Sequence, residues 1–464
     1  MKLYAWGANS HGQLGLGLCN DECRVPTEVK VLPPEIQENL TSVRAIVGGG
    51  GHTLLLTHDG VLYSAGWNSK GQLGYVTNKL EQKEFRCVEK LKDMRVTRIA
   101  CGWDHSIAVT GAGKLFSWGS NSFHQLGIPK TRVPSHTVEP SEVELACVVV
   151  SVSAGLRHSA IVDDTGKVYV WGSGRQGQLG LTSDGEPLAE IEKPCIIPCK
   201  EEAVKVCCGQ YHTVVQCRNG QVFVFGQNKK GQLSLPLHCT QVNSPCPVSE
   251  TSWLGKGKLM EIFVGWTHCV AHTESGHLFT WGRGDYGQLG RGINSECDPK
   301  PVQVKLPGLA VAVAVGAEHC VSLLDTGAVA VWGWNEHGTC GLRESSNILS
   351  PTIIPQSLKE AAVSIGCGSG TTFMLVNETL PRPKERSLLS KVANVLGGVG
   401  MGVSGLTVDS KYSSVPGSTE AAQPAWDHGD GLVPESDGDM LLQRQSGRKK
   451  GAKIFSSKDG MPKV

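Results

Sequence analysis

The stretch CGWDHSIAVTGAGKLFSWGSNSFHQLG, residues 101–127, contains every part of a pattern that recurs along the chain. The pattern consists of Gly-x-x-His, a short apolar run, a segment ending in Trp-Gly, and then Gln-Leu-Gly. It occurs seven times, and successive His slots are 53, 53, 54, 56, 51 and 52 residues apart. A period of this length is typical of propeller blades or of a solenoid. The slot holds His52, His105, His158, His212, His268 and His319, with Thr371 in the seventh copy.

Each repeat predicts four short strands. In the second copy we expect strands over residues 96–101, 106–110, 114–118 and 141–145, because apolar runs alternate there with Gly-rich turns. Helical periodicity is absent from the repeats. The chain is therefore predicted to be all-β.

The two ends of the repeat region each contain half of one repeat. Residues 3–15 supply only the Trp-Gly and Gln-Leu-Gly half, whereas residues 368–376 supply only the first half. Joined in one blade, they would close a ring and leave no exposed sheet edge there. We predict a seven-bladed β-propeller over residues 1–376, with four antiparallel strands per blade and with the N- and C-terminal strands sharing one blade.

The repeat stops at residue 376. Residues 377–464 are rich in Gly, Ser, Pro and charge and poor in aromatic residues, which predicts a disordered C-terminal tail. In this tail an acidic run precedes a basic run: Asp427, Asp430, Glu435, Asp437 and Asp439, then Arg444, Arg448, Lys449, Lys450, Lys453, Lys458 and Lys463. The basic run is either a solvated segment or a weak nuclear-import or phosphate-binding patch.

Composition restricts the function classes. The net charge is +1, so no overall field attracts the chain to DNA or to an anionic membrane, and we expect neither direct DNA binding nor membrane insertion. The 17 cysteines contain no Cys-x-x-Cys pair, and no signal peptide begins the chain, which favours a reducing compartment. We expect a cytoplasmic protein, with the nucleus as a second location, that uses no metal and no cofactor.

Residues shared by all repeats are expected to be structural. We expect each slot histidine to hydrogen-bond within its own blade, and the Trp and Gln residues to be equally structural. Function should then depend on positions that differ between copies. These lie on one face, formed by the Gly-x-x-His turns and by the loops between Trp-Gly and Gln-Leu-Gly, which we call the loop face.

The loop face carries the candidate binding residues. Their mixture of aromatic, basic and acidic side chains is typical of protein-binding hot spots. The alternative is that Trp103 and Trp266 merely cover the mouth of the central channel. The candidates are Trp103, Asp104, Arg157, Tyr211, Trp266 and Glu318 in the turns, with Arg283 and Asp285 in one loop.

The repeat resembles that of the regulator of chromosome condensation family, whose founding member is an exchange factor for the GTPase Ran. The motifs CGWDHS (101–106), GWTH (265–268), WGRGDYGQLGR (281–291) and WGWNEHG (332–338) are similar to those of secretion-linked exchange factors in that family. The resemblance implies a seven-bladed propeller that acts on a small GTPase. It also implies an exocyst subunit as a second partner.

The same resemblance implies roles for two acidic residues. Acidic residues in these turns take part in exchange by the Ran factor; Asp104 matches one such slot, and Glu318 occupies the equivalent slot four blades on. A carboxylate there could pair with the phosphate-binding lysine of a nucleotide-free GTPase. The Ran factor also has a lengthened Trp-Gly loop and a basic N-terminal tail. This sequence shows neither, so Ran and nucleosomes are not the expected partners.

The sequence thus predicts a regulator of a small GTPase, as an exchange factor in secretion or vesicle traffic. The alternative is a non-catalytic propeller scaffold, because a fold alone does not establish exchange. An ultraviolet photoreceptor is disfavoured on the ground that Trp103 and Trp266 lie three blades apart. A conventional enzyme is also disfavoured, since no nucleophile and base interrupt the repeat.

Overall fold

The computed structural model describes residues 1–249, 255–355 and 360–381. Within them, seven four-stranded antiparallel sheets form the blades of a β-propeller, which confirms the predicted fold. The predicted tail, residues 377–464, begins within the last strand, and its residues 382–464 lie outside the described part of the chain.

Blades are numbered along the chain, and their strands run outward from the central channel. Blade 1 contains β3 (Val43–Gly48), β4 (His52–Thr57), β5 (Leu62–Trp67) and β6 (Glu81–Cys87). Blade 2 contains β7 (Val96–Cys101), β8 (His105–Thr110), β9 (Leu115–Ser120) and β10 (His136–Val143). Blade 3 contains β11 (Val149–Ala154), β12 (His158–Asp163), β13 (Val168–Ser173) and β16 (Glu190–Ile196), with a small hairpin of β14 (Thr182–Ser183) and β15 (Glu186–Pro187).

The remaining blades repeat this arrangement. Blade 4 contains β17 (Ala203–Cys208), β18 (His212–Cys217), β19 (Val222–Gln227) and β20 (Gln241–Pro247). Blade 5 contains β21 (Leu259–Val264), β22 (His268–Thr273), β23 (Leu278–Arg283) and β24 (Cys297–Gln303). Blade 6 contains β25 (Ala310–Val315), β26 (His319–Leu324), β27 (Val329–Gly333) and β28 (Ile348–Ile353). Blade 7 contains β29 (Glu360–Cys367), β30 (Thr371–Pro381), β1 (Lys2–Ala8) and β2 (Glu22–Glu28).

Blade 7 closes the ring as predicted. Its strand order is β29, β30, β1, β2, so the C-terminal part supplies the two inner strands and the N-terminus supplies the two outer ones. The register between β1 and β30 runs without interruption from Lys2 opposite Val376 to Gly7 opposite Thr371. Backbone hydrogen bonds therefore join the first strand of the chain to the last described one.

Strand bounds differ from the prediction mainly at the outer edge of a blade. Strand β7 matches residues 96–101, but β10 begins at His136 rather than at residue 141. The pairing of β10 with β9 is interrupted between Thr137 and Ser141. Pro140 lies in this interruption and has no backbone N–H to donate to the ladder. The sequence pattern therefore predicted only the part of the strand that follows Pro140. Short helices occur at Pro34–Glu38 (α1), and as 3₁₀ turns at Leu40–Ser42 and Glu89–Met94.

The Trp-Gly tryptophans are fully buried and link neighbouring blades. The indole Nε1 of Trp118 donates a hydrogen bond of 2.9 Å to the carbonyl of Gln72 in the preceding blade. The following Gly119 has a φ of +97°, and a Cβ there would lie 2.5 Å from the carbonyl oxygen of Asp104. The Trp-Gly pair therefore combines an interblade hydrogen bond with a backbone conformation that favours glycine.

The slot histidines also join blades, so the prediction of hydrogen bonds within one blade was wrong. Nε2 of His105 lies 2.9 Å from Oγ of Ser159 in the next blade. That hydroxyl donates to the carbonyl of Gln125, so His105 donates through Nε2. The ring lies against Gly102, where a Cβ would be 2.0 Å from His105 Cε1, which explains the Gly-x-x-His spacing. Burial lowers the pKa of this imidazole to about 3, so it is neutral near pH 7.

The interblade bond recurs around the ring. His52, His158 and His319 contact Ser106, Thr213 and Thr372, whereas His212 and His268 contact the thiols of Cys269 and Cys320.

Candidate functional site

Asp104 lies at the loop-face end of blade 2, in the turn between β7 and β8. Its side chain is partly buried, and Oδ1 accepts a hydrogen bond of 3.2 Å from Nε2 of Gln125 in the same blade. Burial raises the pKa of the Asp104 carboxyl, while hydrogen bonds from Gln125 and Ser120 and the positive charges of Arg157 and Lys70 act in the opposite direction. The sequence placed this carboxyl on the loop face, and the structure finds it there, partly buried.

Trp103 and Trp266 contact each other across the mouth of the channel. Their ring centroids are 5.4 Å apart, and the rings are inclined at 52°. They do lie three blades apart, but the inference that this separation keeps the rings from clustering was wrong, because blades far apart around the ring approach each other near its axis. Trp103 also covers Gly50 of blade 1, where a Cβ would lie 2.7 Å from the indole ring. Both rings are partly buried and together cover the mouth.

Glu318 is buried, although the sequence predicted it at the partner-binding face. The residue is 1% exposed. Oε1 accepts a hydrogen bond of 2.7 Å from Oγ1 of Thr267, and Oε2 accepts one of 2.7 Å from Nε2 of Gln288. A guanidinium nitrogen of Arg283 lies 3.9 Å from Oε1. The carboxyl thus holds blade 5 against blade 6 and does not face a partner directly.

Arg283 and Asp285 form a partly exposed pair above this carboxyl. The guanidinium donates to both Asp285 oxygens at 2.6 and 2.9 Å, and its carbon lies 4.5 Å from the centre of the Tyr286 ring. Burial acts to lower the pKa of Arg283, but Asp285 and Glu318 overcome this effect and raise it. A guanidinium held in this way keeps a fixed orientation.

Arg157 and Tyr211 occupy the loop face of blades 3 and 4, as predicted. Arg157 is exposed, with its guanidinium carbon 4.1 Å above the Phe123 ring. Tyr211 is partly buried, and its carbonyl accepts the backbone N–H of Gln227 at 2.8 Å. Their role in binding remains a prediction.

Sequence comparison between repeats missed a second group of aromatic residues. His11 and Trp67 stack with centroids 5.1 Å apart, and Nδ1 of His11 lies 3.0 Å from a Glu81 oxygen. Trp334 and His337 meet edge to face at 5.2 Å. The tryptophans directly follow the glycine of Trp-Gly or Ala-Gly, and the histidines lie two residues before the first position of Gln-Leu-Gly. Comparison of these two positions across the seven repeats would have identified them.

The face combines aromatic surface with a small number of fixed charges. Such an arrangement suits recognition of a protein surface. In the described part of the chain, no group of three or more His, Cys, Asp or Glu side chains is placed to hold a metal ion. No helix among the same residues is long and apolar enough to cross a membrane.

Comparison with known proteins identifies similar chains. Residues 2–374 match the RCC1-like domain family. The secretion-regulating guanine nucleotide exchange factor of Mus musculus is 35% identical over 397 residues, which cover 79% of this chain and 82% of that protein. The ultraviolet-B receptor UVR8 of Arabidopsis thaliana is 31% identical over 356 residues, covering 75% and 77% of the two chains.

A solved structure shows the same fold at lower identity. Prp20p of Saccharomyces cerevisiae superposes with a TM-score of 0.72 at 20% identity, covering 85% of this chain and 94% of that one.

Proposed function

This chain belongs to the RCC1-like domain family, and on that premise we propose that it is a guanine-nucleotide exchange factor for a small GTPase in secretion or vesicle traffic. The observation that carries the proposal is the partly exposed Asp104 carboxyl on the loop face, beside Trp103 and Arg157. The 35% identity to a secretion-regulating exchange factor supports the GTPase and its setting. An exocyst subunit as second partner, and location in the cytoplasm or also in the nucleus, follow from the sequence arguments alone.

Asp104 would act on the nucleotide-free GTPase. Once GDP leaves, the phosphate-binding lysine of the GTPase lacks its anionic partner, and a carboxylate presented to it would stabilise that state. Gln125 holds Asp104 Oδ1 and limits its movement, so little conformational freedom is lost on binding. The partly desolvated carboxylate would gain more from a cation than one fully in water.

The remaining face would supply contact area and orientation. Trp103 and Trp266 form a continuous aromatic surface at the channel mouth. Arg283 and Asp285 would add a fixed pair of opposite charges elsewhere on the same face. Aromatic residues and arginine are the side chains that dominate binding energy in most interfaces. Glu318 would not contact the partner, since its own carboxyl is buried between blades 5 and 6.

Release of fluorescent GDP from a panel of purified small GTPases tests the proposal. We expect the full chain to accelerate release from one GTPase and Asp104→Asn to reduce that acceleration by about tenfold or more, as for loss of a charge-assisted contact. Glu336→Gln is the matched control, because Glu336 is an exposed acid on the same face. Acceleration that survives Asp104→Asn would remove Asp104 from the mechanism.

A scaffold without exchange activity is the second candidate. The burial of Glu318 favours it, because only one of the two acidic slots then presents a carboxyl to a partner. Absence of acceleration across the panel, together with capture of a GTPase by the immobilised full chain, would support the scaffold instead.

A further inference from the structure

The face opposite Asp104 carries a group of arginines that exchange does not use. This hairpin face is formed by the turns that join the second and third strands of each blade. Arg44 lies on β3 of blade 1 and Arg98 on β7 of blade 2, and both strands are innermost in their blades. Arg95 lies immediately before β7. Two adjacent blades thus contribute three arginines near the starts of their inner strands.

Backbone hydrogen bonds fix Arg95 between two hairpins. Val96 donates its N–H to the carbonyl of Gly60 in blade 1, and Gly111 donates to the carbonyl of Arg95. The side chain lies over both glycines, because a Cβ on Gly60 would be 2.9 Å from Arg95 Cγ and one on Gly111 would be 3.7 Å from Cδ. Arg95 also has a φ of +46°, the left-handed conformation that ends the 3₁₀ turn Glu89–Met94.

The three guanidiniums have no ion pair with any described carboxylate. Nε of Arg98 is buried and has no hydrogen-bond partner. Burial and then Arg95 lower the pKa of Arg44, while burial and then Arg44 lower that of Arg98, so the positive charges act on one another. His58 on the adjacent hairpin has a pKa lowered by burial and by Arg44, and the exposed Asp59 acts on it in the opposite direction.

Another cation on the inner strands shows how such a charge is normally compensated. Lys205 of β17 is buried, but its Nζ lies 2.5 Å from an oxygen of Glu261 on the next blade's inner strand and 4.3 Å from the centre of the Phe263 ring. Arg44 and Arg98 are partly buried and Arg95 is exposed, so the cost of removing an unpaired charge from water applies to the first two. An arginine group that pairs with no carboxylate of the described residues is therefore suited to an anion supplied from outside.

We propose that Arg44, Arg95 and Arg98 form a binding site for a phosphate-bearing ligand on the hairpin face. Guanidinium forks match phosphate oxygens in pairs of parallel hydrogen bonds. A phosphate group carries close to two negative charges near neutral pH, which suits three cations better than a single carboxylate does. The site is on the opposite face from Asp104, so it does not depend on the proposed exchange activity.

Titration calorimetry of the full chain with sodium pyrophosphate, at constant ionic strength, tests the site. We expect one binding event per chain, weakened about tenfold or more by Arg44→Gln and by Arg98→Gln. Arg218→Gln is the matched control: Arg218 lies on the hairpin face of blade 4, but its guanidinium is paired with Glu202 at 2.9 Å. It should bind pyrophosphate as the wild type does.

Thermal unfolding distinguishes loss of the site from loss of the fold. Without pyrophosphate, Arg44→Gln and Arg98→Gln should melt at or above the wild-type temperature, because a repulsive charge has been removed. Addition of pyrophosphate should raise the Tm of the wild type and should raise the Tm of both variants much less. Binding that is absent from the wild type, or equal in all four proteins, would overturn the proposal; if Arg98→Gln does not fold, Arg44→Gln decides alone.

Sedimentation with vesicles distinguishes two sources of the phosphate group. Vesicles of phosphatidylcholine containing a phosphoinositide bisphosphate are compared with phosphatidylcholine alone. Cosedimentation that Arg98→Gln abolishes would support a lipid headgroup, whereas pyrophosphate binding without cosedimentation would support a soluble phosphate. Cosedimentation unchanged by Arg44→Gln and Arg98→Gln would count against the arginine site as the cause.

Discussion

Asp104 in blade 2 and Glu318 in blade 6 occupy the same repeat position, yet the first is partly exposed and the second is fully buried. The difference originates in the preceding blade. Blade 5, which precedes the blade of Glu318, supplies three partners for this carboxyl. Thr267 and Gln288 donate hydrogen bonds to it, and Arg283 lies 3.9 Å from it. The repeat position therefore determines where the backbone of a residue lies, and contacts from the neighbouring blade determine whether its side chain is buried.

The preceding blade offers Asp104 none of these partners. Gly51 and Trp67 stand in blade 1 where blade 5 has Thr267 and Arg283. Gln72, the counterpart of Gln288, leaves its buried Nε2 without a hydrogen bond. Asp104 instead accepts from Gln125 of its own blade and remains only partly buried.

The largest expected difference between the two carboxyls is in the loss of stability when each one is removed. We expect Glu318→Ala to lower the free energy of unfolding by about 3 kcal/mol, because three polar groups lose a buried acceptor. Asp104→Ala should cost less than about 1 kcal/mol. Urea denaturation of both full-length variants checks this, and equal losses would contradict the contrast between the two environments.

Removal of one donor to Glu318 gives a smaller effect. Thr267→Val keeps the shape of the side chain but deletes the hydroxyl that donates to Oε1, and we expect a loss of about 1–2 kcal/mol. Ser122→Ala, an exposed hydroxyl in the loop of blade 2, should change the stability by less than about 0.5 kcal/mol. If the two substitutions cost the same in urea, the network around Glu318 would not be the stabilising feature.

The smallest effect concerns the charge on Asp104. Its folded-state pKa is raised chiefly by burial, so the unfolded chain loses this proton at a lower pH than the folded one. Wild-type stability should therefore fall, relative to Asp104→Asn, as pH rises from about 3.9, the ordinary Asp value, through the folded pKa, and the difference should then level off.

At pH 7 we expect Asp104→Asn to be at least as stable as the wild type, by a margin below about 1 kcal/mol. Urea denaturation from pH 4 to pH 7 measures the difference. A variant that is less stable at pH 7 than at pH 4, relative to the wild type, would show that the ionised carboxyl stabilises the fold.

The repeat allowed most of the fold to be predicted. Glycines with positive φ, such as Gly119, and the fixed spacing of His105 and Trp118 define each blade locally, and the half repeats at the ends predicted the closed ring. The outer strand β10 was harder to predict, because Pro140 interrupts its pairing.

The site was less predictable, since it depends on contacts between blades. The Trp103 and Trp266 contact requires the width of the channel mouth, which spacing along the chain does not contain. The burial of Glu318 requires the directions of Thr267 and Arg283, which belong to another repeat. Sequence identified the slots but not their surroundings.

The rate of GDP release from the responsive GTPase, measured with wild-type, Asp104→Asn and Glu318→Gln chains, tests the central contrast most directly. We predict that Asp104→Asn reduces the acceleration by about tenfold or more while Glu318→Gln, if folded by its urea transition, stays within about twofold of the wild type. Equal losses in the two variants, or a greater loss in Glu318→Gln, would contradict the assignment of one carboxyl to the partner and the other to the fold.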